Sequence, residues 1–89
     1  MRWSRAAQPQ AFREHNALGL AVRGLRGQRG LSQEELGYRS GLHRNYVGAI
    51  ERGEINPTFR VLLKLERGLA APLSELIELY ERVSARSRV

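Results

Sequence analysis

The chain has 89 residues, a formal charge of +6, 42% hydrophobic residues and no cysteine. That length allows one small domain held by helix packing, and the lack of cysteine removes both a disulfide framework and a thiolate zinc site. No run reaches about eighteen consecutive apolar residues and the opening MRWSRAAQPQAF lacks a continuous hydrophobic segment, so neither a membrane span nor a secretory signal is expected and a soluble cytoplasmic protein is.

Residues 1–10 mix Arg2, Trp3, Arg5 and Pro9 without a helical period and read as a flexible basic arm, with two uses open to it: tracking a polyanion, or simple disorder. Across 11–29, Phe12, Leu18, Val22 and Leu25 recur at helical spacing beside Ala21, which predicts an amphipathic first helix. Gly19, Gly24 and Gly27 weaken it by about 1 kcal/mol each relative to alanine, so packing must hold it. Asn16 is placed to cap a shorter version starting near Ala17. Arg26 and Arg29 suit the negative end of the helix dipole before Gly30 stops it.

The run from Leu31 to Thr58 carries the sharpest local signals. Ser32 and Glu35 have the spacing of a capping box, in which the serine hydroxyl takes the Glu35 N–H and the glutamate reaches back to the Ser32 N–H; Leu31 and Leu36 flank it as a hydrophobic staple. A helix starting at Ser32 stops near Gly41, which can take the left-handed conformation that a β-carbon resists. Gly37, inside that helix, leaves room for the next one to cross closely. A second short helix, about His43 to Arg52, is expected to bury Leu42, Val47 and Ile50, to show Arg44, Asn45, Gly48 and Ala49 on its other face, and to end at Gly53.

Glu54-Ile55-Asn56-Pro57 forms a loop, because Pro57 turns Asn56 away from helix, and Thr58 caps a fourth helix with Phe59, Leu62, Leu63 and Leu69 as its buried stripe. Glu66 breaks that stripe, so either its carboxylate is half-buried beside an arginine or the helix is rotated. After Ala70-Ala71-Pro72 a last helix runs over 73–86 with an apolar set of Leu73, Leu76, Ile77, Leu79, Tyr80 and Val83, followed by a tail at 87–89. Two readings of that broad face are open: a homodimer interface built on Leu76, Leu79, Tyr80 and Val83, or a cover for the first helix. No internal repeat or low-complexity run appears.

The charge is uneven. Met1 to Gly53 holds nine arginines against four glutamates, and Glu54 to Val89 holds six Lys or Arg against five glutamates, fourteen of the fifteen cations being arginine. A polyanion partner fits this balance, and so does arginine usage set by a GC-rich genome.

LSQEEL, the YRSGL turn, RNYVGAIERG, NPT and LLKL, in register from about Leu18 to Ile77, resemble the Cro/CI (XRE) helix-turn-helix family, and Arg44-Asn45-Tyr46 is similar to the start of the recognition helix in restriction-modification controller proteins. The resemblance implies an all-α, five-helix, lambda-repressor-like DNA-binding domain over 11–86, with the helix-turn-helix at 32–53 and the dimerisation helix at 73–86. By the same resemblance Gln33 binds a DNA phosphate, Arg44 and Asn45 enter the major groove with Ala49 one turn on, and Arg26 pairs with Glu51. His43 departs from the family's usual Ser, Thr or Asp cap, and Glu66 from a small apolar residue.

In chemical terms, Gln33, Arg39, Arg52 and Arg60 would hold phosphates while Arg44 spans guanine O6 and N7, Asn45 pairs with adenine N6 and N7, and Gly48 leaves space for the groove wall. Tyr46 has two roles open to it, packing beside Ile50 or resting on the sugar-phosphate backbone with its hydroxyl on a phosphate. A palindromic double-stranded operator bound by a homodimer follows, with half-sites about one helical turn apart. His15 and His43 lie on different helices in a chain with no Asp and no Cys, so no catalytic triad, metal cluster, phosphate loop or cofactor is expected. The rival is an antitoxin or adaptor of the same fold that binds a toxin or other protein. Activation through RNA polymerase would need an acidic surface, for which Glu34 and Glu35 are the candidates.

Overall fold

The computed structural model describes residues 7–87, with side chains over 13–86. Five helices follow in order: α1 Ala7–Gln28, α2 Gln33–Ser40, α3 Arg44–Glu51, α4 Phe59–Leu69 and α5 Leu73–Ser87. Helix α1 starts at Ala7, inside the stretch expected to be an arm. Pro9 falls in its first turn, where a missing N–H costs no hydrogen bond. The remaining arm residues, the side chain of Phe12 and the last two residues of the tail lie outside the described set.

Asn16 does not cap anything, because α1 runs straight through it; its side chain instead packs against Gly53, where a β-carbon would collide with it. The buried face of α1 is Ala17, Ala21, Val22 and Leu25. Gly19 earns its place there by proximity: a β-carbon would run into the carbonyl oxygens of Ile50 and Glu51, so only glycine lets the end of α3 lie against α1. Helix α1 ends with Leu31 N donating to Arg26 O at 3.1 Å, and Arg29 Nε reaches the carbonyl of Leu69 at 2.9 Å.

Helix α2 opens with both halves of the capping box in place, Glu35 N to Ser32 Oγ at 3.0 Å and Ser32 N to Glu35 Oε1 at 2.8 Å, while Leu31 and Leu36 are buried together in the core. Gly41 closes it at φ 72°, and Leu42 N returns to Gly37 O at 2.8 Å. At Gly37 a β-carbon would sit 2.5 Å from the Leu42 carbonyl, which is how the turn into α3 comes so close to α2.

Helix α4 is capped by Thr58 Oγ1, which accepts Val61 N at 3.2 Å. Its inward stripe differs from the expected one. Leu65 is fully buried with Leu69 and Gly68, Val61 and Leu62 are half-buried, and Phe59 and Leu63 are 65% and 38% exposed. Rotating the stripe from Leu63 to Leu65 lets Gly68 lie against Leu36 and Ser40 of α2. Glu66 then falls at the α4–α5 corner, where its Oε2 accepts the Leu73 N–H at 2.7 Å. It caps α5, whose own N-cap position is Pro72 and offers no side-chain acceptor, so of the two expectations for Glu66 the rotated helix holds and its carboxylate serves this backbone N–H rather than an arginine.

Helix α5 packs along α1, the most extensive helix pairing in the molecule. Leu76 is 2% exposed and belongs to the core, so it has no surface to give to a second chain. Leu73, Leu79 and Tyr80 are half-buried against the same core, and Leu79 Cδ2 would stand 3.3 Å from a β-carbon at Gly24. Covering α1 therefore consumes most of the apolar face of α5. Burial of this kind dominates the stability of a small helical domain.

Candidate nucleic-acid interface

Helix α3 divides its residues sharply. Val47 and Ile50 are buried in the core, Glu51 is buried at the end of the helix, and Tyr46 is half-buried with its ring against the core, so packing is the role the fold gives that ring. Gly48 lies on the buried side as well, against the earlier expectation: a β-carbon there would stand 3.0 Å from Arg52 Nη1 and 3.5 Å from Gln33 Oε1. Its small size serves the α2–α3 contact. Arg44 and Asn45 are exposed and Ala49 half-buried, leaving the N-terminal edge of α3 polar and open. That end is capped by His43, whose Nδ1 accepts Asn45 N at 3.0 Å.

At the other end of α3 lies a buried charge network. Arg26 Nε and Nη2 donate to Glu51 Oε2 and Oε1 at 2.7 and 3.0 Å, Arg26 Nη1 donates to Leu31 O at 2.9 Å, and Gln33 Nε2 donates to Glu51 Oε1 at 3.0 Å. The Glu51 side chain is only 3% exposed, yet both its oxygens are bound. Hydrogen bonding to that carboxylate raises the Arg26 pKa above its ordinary value, with burial opposing. The ends of α1 and α3 are thereby tied to the first residue of α2, and Gln33 is held at the helix N-terminus where an anion would be received.

Two exposed ion pairs border the same surface. Arg44 Nη1 stands 3.3 Å from Glu34 Oε2, joining the starts of α2 and α3. Arg52, which ends α3, holds Glu54 in a fork with contacts of 2.8 and 3.2 Å. That hydrogen bonding raises the Arg52 pKa and lowers that of Glu54. Gln33 and Arg52 both approach the buried Gly48, and Glu34 follows Gln33 in the chain, so Arg44, Glu34, Gln33 and Arg52 adjoin one another above it. Arg39 is exposed in the last turn of α2, and Arg60 shares a groove on α4 with Phe59, Leu63, Lys64 and Arg67.

Sequence reasoning overlooked the Gln33–Glu51 bond and the pairs made by Glu34 and Glu54. For Glu54 the signal was available two residues from Arg52. For Glu34, ten residues from Arg44 and on another helix, no local pattern exists. Among the described residues no group of three or more His, Cys, Asp or Glu side chains could hold a metal ion, and no helix is long and apolar enough to cross a membrane.

Comparison with known proteins agrees with this geometry. A helix-turn-helix family model matches residues 22–76, more than half the chain. The control protein C.SmaI of Serratia marcescens is 43% identical over 56 residues, covering 63% of this chain and 67% of that protein. The restriction-modification controller protein C.AhdI of Aeromonas hydrophila superposes with a TM-score of 0.68 at 44% identity, over 70% of this chain and 94% of that one. The controller protein C.Esp1396I superposes with a TM-score of 0.77 at 26% identity, over 82% and 95%. An exposed polar edge with Arg44 and Asn45 at the start of α3, a glycine turn behind it and these relatives converge: the chain belongs to the XRE-type helix-turn-helix family and is a DNA-binding transcriptional regulator of the controller-protein type.

Proposed function

We propose that the protein binds a palindromic double-stranded operator in the cytoplasm as a homodimer, each α3 entering a major groove. Arg44 pairs with guanine O6 and N7, Asn45 with adenine N6 and N7, and Ala49 offers an apolar contact one turn later. Gln33, Arg39, Arg52 and Arg60 contact phosphates and set the register, joined by the Tyr46 hydroxyl at the rim. The observation that carries this reading is the contrast along α3: Arg44 and Asn45 are exposed at its start, Arg44 held only by a surface pair with Glu34, while Val47 and Ile50 are fixed in the core and Glu51 in its charge network.

The dimer surface is re-drawn from the burial pattern. With Leu76 in the core and Leu79, Tyr80 and Val83 half-buried in the monomer, the large apolar side chains left open on α4 and α5 among the described residues are Phe59, Leu63 and Ile77. These supply the two-fold contact, with the half-exposed edges of Leu79, Tyr80 and Val83 at its margin.

Selection of bound duplexes from random DNA tests both parts. A palindromic consensus with half-sites about one helical turn apart is expected. The DNA upstream of the protein's own gene is the first natural duplex to test, given the likeness to controller proteins. Sedimentation is expected to give a dimer that Phe59→Ser shifts toward monomer. Recovery of no consensus, or of a single half-site bound by monomer, overturns the respective part.

A further inference from the structure

The side chain that caps α3 has a second nitrogen. His43 Nδ1 accepts the Asn45 N–H at 3.0 Å, so in this bond Nδ1 carries no hydrogen and the neutral ring holds its proton on Nε2. The two nitrogens lie on different edges of the ring. With Nδ1 turned back onto the helix end, Nε2–H points away from the α3 backbone, and His43 is exposed. Arg44 and Asn45, its neighbours in the chain, are exposed as well. A serine or aspartate at this position would satisfy the same backbone N–H without reaching beyond the helix end. An imidazole does both.

We propose that His43 is a DNA-contacting residue: while Nδ1 caps the recognition helix, Nε2–H donates a hydrogen bond to an acceptor of the operator beside the positions read by Arg44 and Asn45. This rests on α3 entering the major groove as proposed above. The acceptor chemistry is shared by purine N7, guanine O6, thymine O4 and phosphate oxygen. The capping bond fixes both the tautomer and the ring plane, so the outward donor is already oriented before DNA arrives, and little rotamer freedom is lost when it binds.

Two substitutions separate the nitrogens. Asparagine places Oδ1 where Nδ1 stands and nothing at Nε2; glutamine places its amide nitrogen near Nε2 and lacks the capping acceptor. His43→Asn is expected to melt within about 2 °C of wild type, because asparagine is among the best N-caps. It is expected to bind the selected operator about three- to tenfold more weakly. His43→Gln is expected to melt lower and to keep its preference for operator over scrambled duplex.

Selection from random DNA with wild type and His43→Asn then assigns the acceptor. A base edge appears as lost preference at one position beside the Arg44 site, and a phosphate as uniform weakening; either supports the donor. If His43→Asn binds the operator as wild type does, or loses melting temperature and affinity together, His43 is a cap only and the proposal is overturned. A wild type that selects no sequence overturns the operator reading itself, and the proposal with it.

Discussion

The front of the molecule, α2 and α3, and its back, α4 and α5, are held by different forces. At the front, directional polar bonds set each element: the Ser32–Glu35 box, the His43 cap, and the Glu51 carboxylate shared by Arg26 and Gln33. The surface left over is polar and mixed in charge, Arg39, Arg44 and Arg52 beside Glu34, Glu35 and Glu54, and its side chains start from fixed positions. At the back, apolar volume does most of the same task, with Leu65, Leu69 and Leu76 in the core, the Thr58 cap on α4, the Glu66 carboxylate at the corner and Glu75 beside Arg29. The surface left over there mixes charged side chains with three large apolar ones, Phe59, Leu63 and Ile77. A reading head needs angles held constant, which hydrogen bonds provide; an interface between copies needs only shape and area.

The largest effect is expected where the front stores its charge. Glu51→Ala strands the Arg26 guanidinium and removes a partner of Gln33, so urea unfolding is expected to show a loss of about 3–5 kcal/mol. Replacing both members of the pair, Arg26→Met with Glu51→Leu, is expected to recover much of that stability and none of the DNA binding. Recovery of both would mean that the network does not position Gln33.

At the back, Leu65→Ala is expected to cost about 2–5 kcal/mol, against about 0.5 kcal/mol for Leu63→Ala in monomer at low concentration. The reverse order would restore the stripe expected from sequence. That stripe shows where a sequence is hard to interpret. Leu62, Leu63 and Leu65 sit within one turn, and helical periodicity alone does not say which side faces in when the decision rests on Gly68 meeting Ser40 from another helix. The same holds for α5, whose wide apolar face is equally consistent with covering α1 or a partner until the length of α1 is known. The front was legible because its signals are local: a capping box spans four residues, and a turn glycine such as Gly41 needs no distant partner. What stayed hidden there, Glu34 on Arg44 and Gln33 on Glu51, depends on two helices meeting.

Binding probes the front directly. Arg44→Ala is expected to cost about 1–3 kcal/mol on operator duplex with little change on scrambled duplex; equal loss on both would make Arg44 a phosphate contact. The cap beneath it is a smaller matter. Ser32→Ala is expected to lower stability by about 1 kcal/mol, and its effect depends on pH. The backbone N–H of Ser32, and then its hydroxyl, hold the Glu35 carboxyl below its ordinary pKa of 4.5, and Arg52 does the same for Glu54. Carboxylates whose folded-state pKa is depressed add stability above the unfolded value and lose it as pH falls through the folded one. Stability is therefore expected to be flat above about pH 5 and to decline below it, more gently in Glu35→Gln. An equally steep decline in that variant would place the acid sensitivity elsewhere.

The smallest effect tests whether the front is restrained before DNA arrives. Arg44 and Glu34 stand 3.3 Å apart with both side chains mostly exposed, so the pair is weak, and a duplex must break it to engage the guanidinium. The Glu34 carboxylate also stands beside Gln33, where a phosphate is expected, and repels it. Both effects oppose binding, and neither depends on base sequence. Glu34→Gln is therefore expected to tighten binding to scrambled duplex by about two- to threefold at low salt, with the difference fading as the screening length shortens toward 1 M. Operator affinity should rise by about the same factor, because Arg44 leaves Glu34 on either duplex, so the ratio of specific to non-specific binding stays unchanged. Weaker operator binding in this variant, with scrambled duplex unchanged, would mean that Glu34 aims Arg44 into the groove.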